Sequence, residues 1–245
     1  MKERGIIFNA EMVRAILDGR KTQTRRIIKS VPATHNFHGW VMSSTHAKDE
    51  GKACWAIGDS PLLKEPIRLN CPLGKVGDLL WVRETWNVVS HEFDDDGLMI
   101  DYVPDRPTKA VHEMPYGHGY YTGHVVYYAD GDFTWGDNDG CIDGRSCWKP
   151  SIHMPRRASR ITLEITDIRV ERLQNISEQD ALFEGIITGR YGNDDNWQDG
   201  FYVPNSNQPY QTAKSAFCAL WQSIYGVGSF YKNPWVWVIE FRKVN

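Results

Sequence analysis

The segment that most limits the fold is the last one, Trp235-Val-Trp-Val-Ile-Glu-Phe241, which is apolar on both faces until Glu240. A strand with one wet face alternates apolar and polar residues. A strand with large apolar groups on both parities needs cover on both sides, so this segment is a central strand of a sheet. Gly5–Phe8 at the other end of the chain also reads as a strand. Both ends are then core pieces, which argues for one domain over residues 1–245 with insertions, and against domains in series.

Between the ends, several elements are legible. Asn9 is a good N-cap, Glu11 suits a first helical turn, and Met12 with Ile16 and Val13 with Leu17 form i,i+4 apolar pairs. The spacing predicts a helix over Ala10–Asp18 that stops at Gly19. Leu79–Arg83 follows a Gly77-Asp78 turn as a compact apolar strand. Arg160–Thr166 alternates, with Ile161, Leu163 and Ile165 inward, and the phase then slips at Ile168 and Val170. A bulge or bend near Asp167 would accommodate that slip. Ser177, with Asp180 three residues on, marks the start of a short helix ended by Gly185. Thr212–Tyr225 reads as a helix with Ala216, Leu220 and Ile224 on one stripe and Phe217 and Trp221 beside it. Residues 32–75 and 188–210 read as irregular. In 90–147 only His124–Ala129 reads clearly as a strand, and the rest as long ordered loops. About five to seven short strands with three helices make an α+β pattern with a closed or nearly closed barrel.

Charge divides the chain. The net charge of −3 and pI near 6.2 exclude a generic polyanion binder. Residues 1–30, however, carry eight Lys/Arg against three Asp/Glu, whereas residues 92–143 carry twelve acids against two bases, Arg106 and Lys109. A polyanion site therefore belongs near the N-terminal segment, and the acidic middle reads as a solvated insertion. The five cysteines include no CxxC pair, which fits a reducing compartment better than a disulfide framework. Cys141, Cys147 and His153 match no zinc spacing, so no metal and no cofactor are expected. Asp94–Asp96 and Asp137–Gly140 read as turns, since neither fits a calcium loop. The opening residues run straight into a strand and no apolar run nears the ~20 residues of a membrane span. The expected setting is cytoplasmic, without membrane contact, and the oligomeric state is not legible.

The stretch that carries chemistry is Arg20-Lys21-Thr22-Gln23-Thr24-Arg25-Arg26. Four cations in seven residues make a poor interior strand unless carboxylates or anions meet them. Lys21 beside a Thr24 hydroxyl can serve as the base for a nucleophile if burial lowers the ammonium pKa. It can equally donate to a phosphate or a carbonyl oxygen. A solvated basic turn paired with Asp or Glu is the competing reading.

The run Gly19-Arg-Lys-Thr-x-Thr-x-Arg26 after a short helix resembles the ASCH family, a branch of the PUA-like superfamily. Four more segments are similar to phage and prophage members: Gly77–Trp86, Pro155–Ile161, Ile176–Gly185 and Trp235–Phe241. The resemblance implies a PUA-like β-barrel of about five to seven strands with flanking short helices and long insertions at about 32–75 and 88–147. It implies recognition of RNA or a modified nucleoside. Small members of the family hydrolyse N4-acetylcytidine with a Lys, a Thr and a Glu, which fall on Lys21, Thr24 and Glu184. Lys21 would activate Thr24, Thr24 would attack the acyl carbonyl, and Glu184 would assist proton transfer. Glu184 lies in the last turn of its helix, where a carboxylate is disfavoured as the anion. Other members bind or cleave RNA, so a ribonuclease is an alternative. So is a non-catalytic phage host-interaction protein that works through residues 92–143. Arg20, Arg25, Arg26, Trp81, Arg83, Trp86, Arg156, Arg157 and Arg160 are candidates for contact with a nucleoside or nucleic acid, the tryptophans by stacking. Arg83 and the Arg156–Arg160 group could instead pair with Glu84 and Glu164.

Overall fold

The computed structural model describes residues 1–58, 64–133, 135, 147–193 and 196–244. In chain order they form β1 (Glu3–Ile7), α1 (Ala10–Leu17), β2 (Gln23–Ile27), β3 (His35–Trp40), β4 (Ala53–Ile57), β5 (Lys64–Leu69) and β6 (Leu79–Arg83). Next come β7 (Trp86–Val89), β8 (His91–Phe93), β9 (Met99–Asp101), β10 (Lys109–Tyr116), β11 (Gly119–Tyr127) and β12 (Thr162–Arg172). The chain ends with α2 (Glu178–Phe183), β13 (Ile187–Asn193), β14 (Asn196–Tyr202), β15 (Pro209–Tyr210), α3 (Ala213–Tyr225) and β16 (Trp235–Val244). They gather into two compact units, neither continuous in sequence. The first comprises Met1–Lys2, Gly19–Leu79 and Glu164–Arg242; the second comprises Glu3–Asp18, Leu80–Leu163 and Lys243–Asn245.

In the first unit β16 lies between β12 and β2, and it runs antiparallel to β2 with Val238 opposite Arg25 and Ile239 opposite Thr24. Val236, Trp237, Val238 and Ile239 are buried, so the strand is central, as its two apolar faces require. Burial along β12 changes parity, from Leu163 and Ile165 to Val170, where the apolar phase slips in the sequence.

Residues 32–75 differ from the expected irregular insertion. Within them β3, β4 and β5 form an antiparallel sheet. Trp55 of β4 is fully buried, with ring centroids 5.4 Å from Phe37 and 5.8 Å from Trp237. Alternation is hidden here because Ala53 to Ala56 are all buried: a strand covered on both faces has no polar parity to read. Residues 188–210 also differ, because β13, β14 and β15 form a second antiparallel sheet. In α3 the Thr212 hydroxyl caps the Ser215 N–H at 3.1 Å. Ala216, Phe217, Leu220 and Trp221 are buried, but Ile224 is exposed, one residue from the helix end and beyond the buried stripe.

In the second unit β1 lies beside β6. Gly5 is required there, because a Cβ would come within 2.9 Å of both the Arg83 side chain and the Trp81 ring. The α1 cap is as expected: the Asn9 side chain accepts from the Met12 N–H at 2.9 Å. Residues 88–147 are more regular than the expected loops. β10, β11 and β7 form an antiparallel sheet, and β8 with β9 forms a hairpin. Trp86, Val111, Met114, Val125, Tyr127, Met154 and Ala158 make its core. His124–Tyr127, the one stretch that reads as a strand, lies in β11 and supplies Val125 and Tyr127; the other apolar residues are spread among acids and glycines.

The structure is mixed α+β and built mainly of strands. Among the described residues no sheet closes on itself, and no helix is long and apolar enough to cross a membrane. Replacing Trp55 by Ala should cost about 3–5 kcal/mol, the range for truncating a buried Trp. Urea denaturation checks this; a cost below about 1 kcal/mol would contradict a packed role for residues 32–75.

Candidate functional site

In the first unit the segment after Gly19 is fixed by backbone bonds on both sides. The Thr22 N–H donates to the Phe183 carbonyl at 3.0 Å, and the Thr22 carbonyl accepts from the Phe241 N–H at 2.9 Å. These bonds bring the entry to β2 against the C-terminal end of α2, where Glu184 is the cap residue. Lys21 is 3% exposed and Glu184 4%. The Lys21 ammonium donates to Glu184 Oε2 at 2.7 Å and to the Glu184 carbonyl at 2.8 Å. Burial lowers the Lys21 pKa below its usual range. The Glu184 carboxylate pulls it back up, and the charges of Arg26 and Arg25 push it down further.

Arg25 converges on the same carboxylate. Its guanidinium, with a side chain 0% exposed, donates to Glu184 Oε1 at 3.2 Å, Asp180 at 3.2 Å, Glu171 at 3.3 Å and the Gln23 carboxamide. The ring of Phe217 lies 5.9 Å from its carbon. Gln23 donates to Asp180 at 3.1 Å and Glu240 at 3.2 Å. Arg169 closes the network by donating to Glu171 at 2.6 Å, Asp180 at 3.1 Å and Glu240. Burial raises the Asp180 carboxyl, but the Gln23 bond and the charges of Arg25 and Arg169 outweigh it, and the net shift is downward. Three cations therefore meet four carboxylates, which meets the condition for burying such charges.

Strand alternation places Thr24 on the face of β2 opposite Gln23 and Arg25. Thr24 is 1% exposed, and its hydroxyl accepts from the Arg26 guanidinium at 2.7 Å. The structure thus joins Lys21 to Glu184 and Thr24 to Arg26, and neither Lys21 nor Thr24 faces open solvent. Arg20 is half-buried at the entry to β2.

The other candidates fall in the second unit. Arg160 donates to both Glu84 oxygens at 3.0 Å and to both Asp130 oxygens at 2.7 and 2.8 Å, with its guanidinium 3.9 Å from the Tyr127 ring centroid. Burial raises the Glu84 carboxyl, and the Arg160 bond opposes that rise. Trp86 is fully buried in the core, edge-on to Tyr116. Arg83 stacks over Trp81 at 5.3 Å. Arg156 donates to Glu3 and Thr162, and Arg157 to the His112 and Glu113 carbonyls. His153 is exposed. Glu164, the sequence neighbour expected to serve these arginines, pairs with Arg242 at 2.7 Å. Cys141 and Asp137–Gly140 lie outside the described residues. Among the described ones no group of three or more His, Cys, Asp and Glu is placed to hold a metal.

Sequence reasoning missed Glu171, Asp180, Arg169, Gln23 and Glu240 as members of the network. Glu240 carried a usable signal: a lone acid in an otherwise apolar central strand needs a buried partner. No family model matches this chain, and no curated protein or solved structure does so.

The lowered pKa of Asp180 sets a pH dependence. A carboxyl held below its ordinary 3.8 contributes stability that is present above that pH and lost as pH falls through the folded value. Asp180→Asn should therefore flatten the acid limb of stability below about pH 4. Urea midpoints taken across that range check it; an unchanged acid limb would place the acid sensitivity elsewhere.

Proposed function

We propose that the chain is an ASCH-type protein with a PUA-like fold that recognises a modified nucleoside, free or in RNA, and hydrolyses an acyl amide on its base. N4-acetylcytidine is the model substrate. The observation that carries this reading is the buried Lys21 ammonium, held on Glu184 within the Gly-Arg-Lys-Thr segment. A lysine whose pKa is lowered by burial reaches its neutral form at a lower pH, and only the neutral amine can accept a proton.

The neighbouring bonds suit acyl transfer. Arg26 donates to the Thr24 oxygen, and a cationic donor favours negative charge building on that atom. The proposed reaction needs Lys21, which rests on Glu184 beside Arg25, to lose its proton to solvent and swing to the opposite face of β2 as substrate enters, where the neutral amine takes the Thr24 hydroxyl proton. Thr24 Oγ1 bonds to the acyl carbon, the carbon–nitrogen bond breaks, and the base amine departs with the proton carried by Lys21. Water then cleaves the Thr24 ester to acetate and restores the hydroxyl. Arg25 remains on Glu184 and keeps its charge countered while Lys21 is neutral. Arg20 and Arg26 are the cations of this segment proposed to meet the nucleoside's polar groups.

The test is incubation of wild type, Lys21→Ala and Thr24→Ala with modified nucleosides and short RNAs, with folding checked by circular dichroism. The expected result is release of acetate and cytidine by wild type, reduced at least ~100-fold in both variants. The wild-type rate should climb with pH through a Lys21 pKa below 10.5. RNA cleavage lost in Lys21→Ala, without deacylation, would replace this reading with a ribonuclease. Binding without turnover would leave a reader. A partner interaction indifferent to Lys21→Ala, and lost with residues 92–143, would move the function to the acidic insertion.

A further inference from the structure

The second unit contains a cavity of about 450 Å³ whose wall includes Phe93, Tyr102, Phe133 and Trp135, with Glu92 as a charged group on its lining. The rings are mutually supported. Phe133 and Trp135 have centroids 4.5 Å apart, Tyr102 meets Phe133 edge-on at 6.0 Å, and Trp148 backs Trp135 at 5.2 Å. Tyr102 is further fixed by donating its hydroxyl to Asp105 at 3.1 Å. Ring faces carry the negative lobes of the aromatic quadrupole, so an aromatic wall suits a cationic guest.

Charge decides what that is. Residues 92–143 carry twelve acids against two bases, and both bases are engaged. Arg106 donates to Asp105 and to the Asp132 carbonyl, and Lys109 donates to the Ser159 carbonyl at 2.7 Å. The hydrogen bond from Arg106 holds the Asp105 carboxyl down to about 2, so it is ionised throughout the physiological range. With Glu92 on its lining and no Lys or Arg among its described lining residues, the cavity favours a cation over a phosphate. The aromatic cluster already receives one cation, since the Arg106 guanidinium lies 5.0 Å from the Phe133 centroid.

We propose that this cavity binds an alkylated ammonium group, with the rings contacting its polarised methyl groups and Glu92 countering its charge. The group could arrive on a free metabolite or on a methylated lysine of a peptide, and the test separates the two. Binding is followed by tryptophan fluorescence and calorimetry on the full chain. The probes are choline, a short peptide carrying trimethyllysine, the uncharged choline isostere 3,3-dimethylbutanol, and AMP.

Choline or the peptide should bind about tenfold or more tighter than the isostere, and AMP should not compete. The tighter of the two cations names the source. Glu92→Gln, a change at a partly exposed position, should weaken cation binding several-fold and leave the isostere unaffected. Trp135→Ala should abolish both. Equal binding of choline and its isostere would overturn the proposal in favour of a plain apolar pocket. AMP binding that Trp135→Ala removes would overturn it in favour of a nucleotide site. No binding of either cation at about 10 mM would also overturn it. The outcome is independent of Lys21 and Thr24, so it stands or falls separately from the deacylase reading.

Discussion

Two cations on one buried carboxylate organise the first unit. An ammonium or carboxylate removed from water loses several kcal/mol of solvation even after relaxation, so the interior position of Lys21 leans on Glu184, and that of Arg25 on Glu184 together with Asp180 and Glu171. The dependence runs both ways. The sequence position of Glu184, at the end of a short helix, offers its carboxylate only the unfavourable end of a helix dipole. Lys21 and Arg25, at 2.7 and 3.2 Å, replace that unfavourable field with two formal positive charges. An isolated helix end would leave that carboxylate disfavoured; the folded chain meets it with the entry to a strand.

The same carboxylate ties secondary structure to tertiary structure. β2 contributes Gln23 and Arg25, α2 contributes Asp180 and its cap Glu184, β12 contributes Arg169 and Glu171, and β16 contributes Glu240. Four elements from three separate stretches of the sequence thus meet through side-chain bonds in addition to backbone pairing. Asp180 shows how one residue serves two levels. Its N–H donates to the Ser177 cap hydroxyl at 3.0 Å, which starts α2, and its carboxylate joins the network that fixes where α2 lies. In a capping box the residue at this position would turn its side chain back to the cap; here that side chain serves the network.

What the sequence revealed and what it concealed have a common cause. α1, α3, β6 and β16 were legible because their signals are local: a cap, a 3.6-residue stripe, a run of apolar residues. Of the three-stranded sheets in 32–75, 88–147 and 188–210 only the His124–Tyr127 part of β11 is legible, because short strands covered on both faces, or interrupted by Gly and acids, lose their two-residue period. The same limit applied to charges. Lys21 and Arg25 stood out as cations that needed anions, but their partners lie 146 to 163 residues away. The sequence offers the Arg156–Arg160 cluster either phosphate or the carboxylates of Glu84 and Glu164. Arg160 takes Glu84 and also Asp130, 76 and 30 residues off, whereas Glu164 pairs with Arg242.

That last contrast bears on how cation-rich segments should be weighed. Arg160 makes four charge-assisted bonds and lies over an aromatic ring, a geometry that leaves little donor capacity for a ligand. Lys21 also sits on a carboxylate, but it differs in one respect that matters for chemistry. A guanidinium does not deprotonate in proteins, so an enclosed arginine can only hold its partners. An enclosed lysine has its pKa lowered by desolvation, and its proton can be moved. Of the cations in Arg20–Arg26, Lys21 is the one whose pKa burial lowers, and Arg25 shares its partner Glu184.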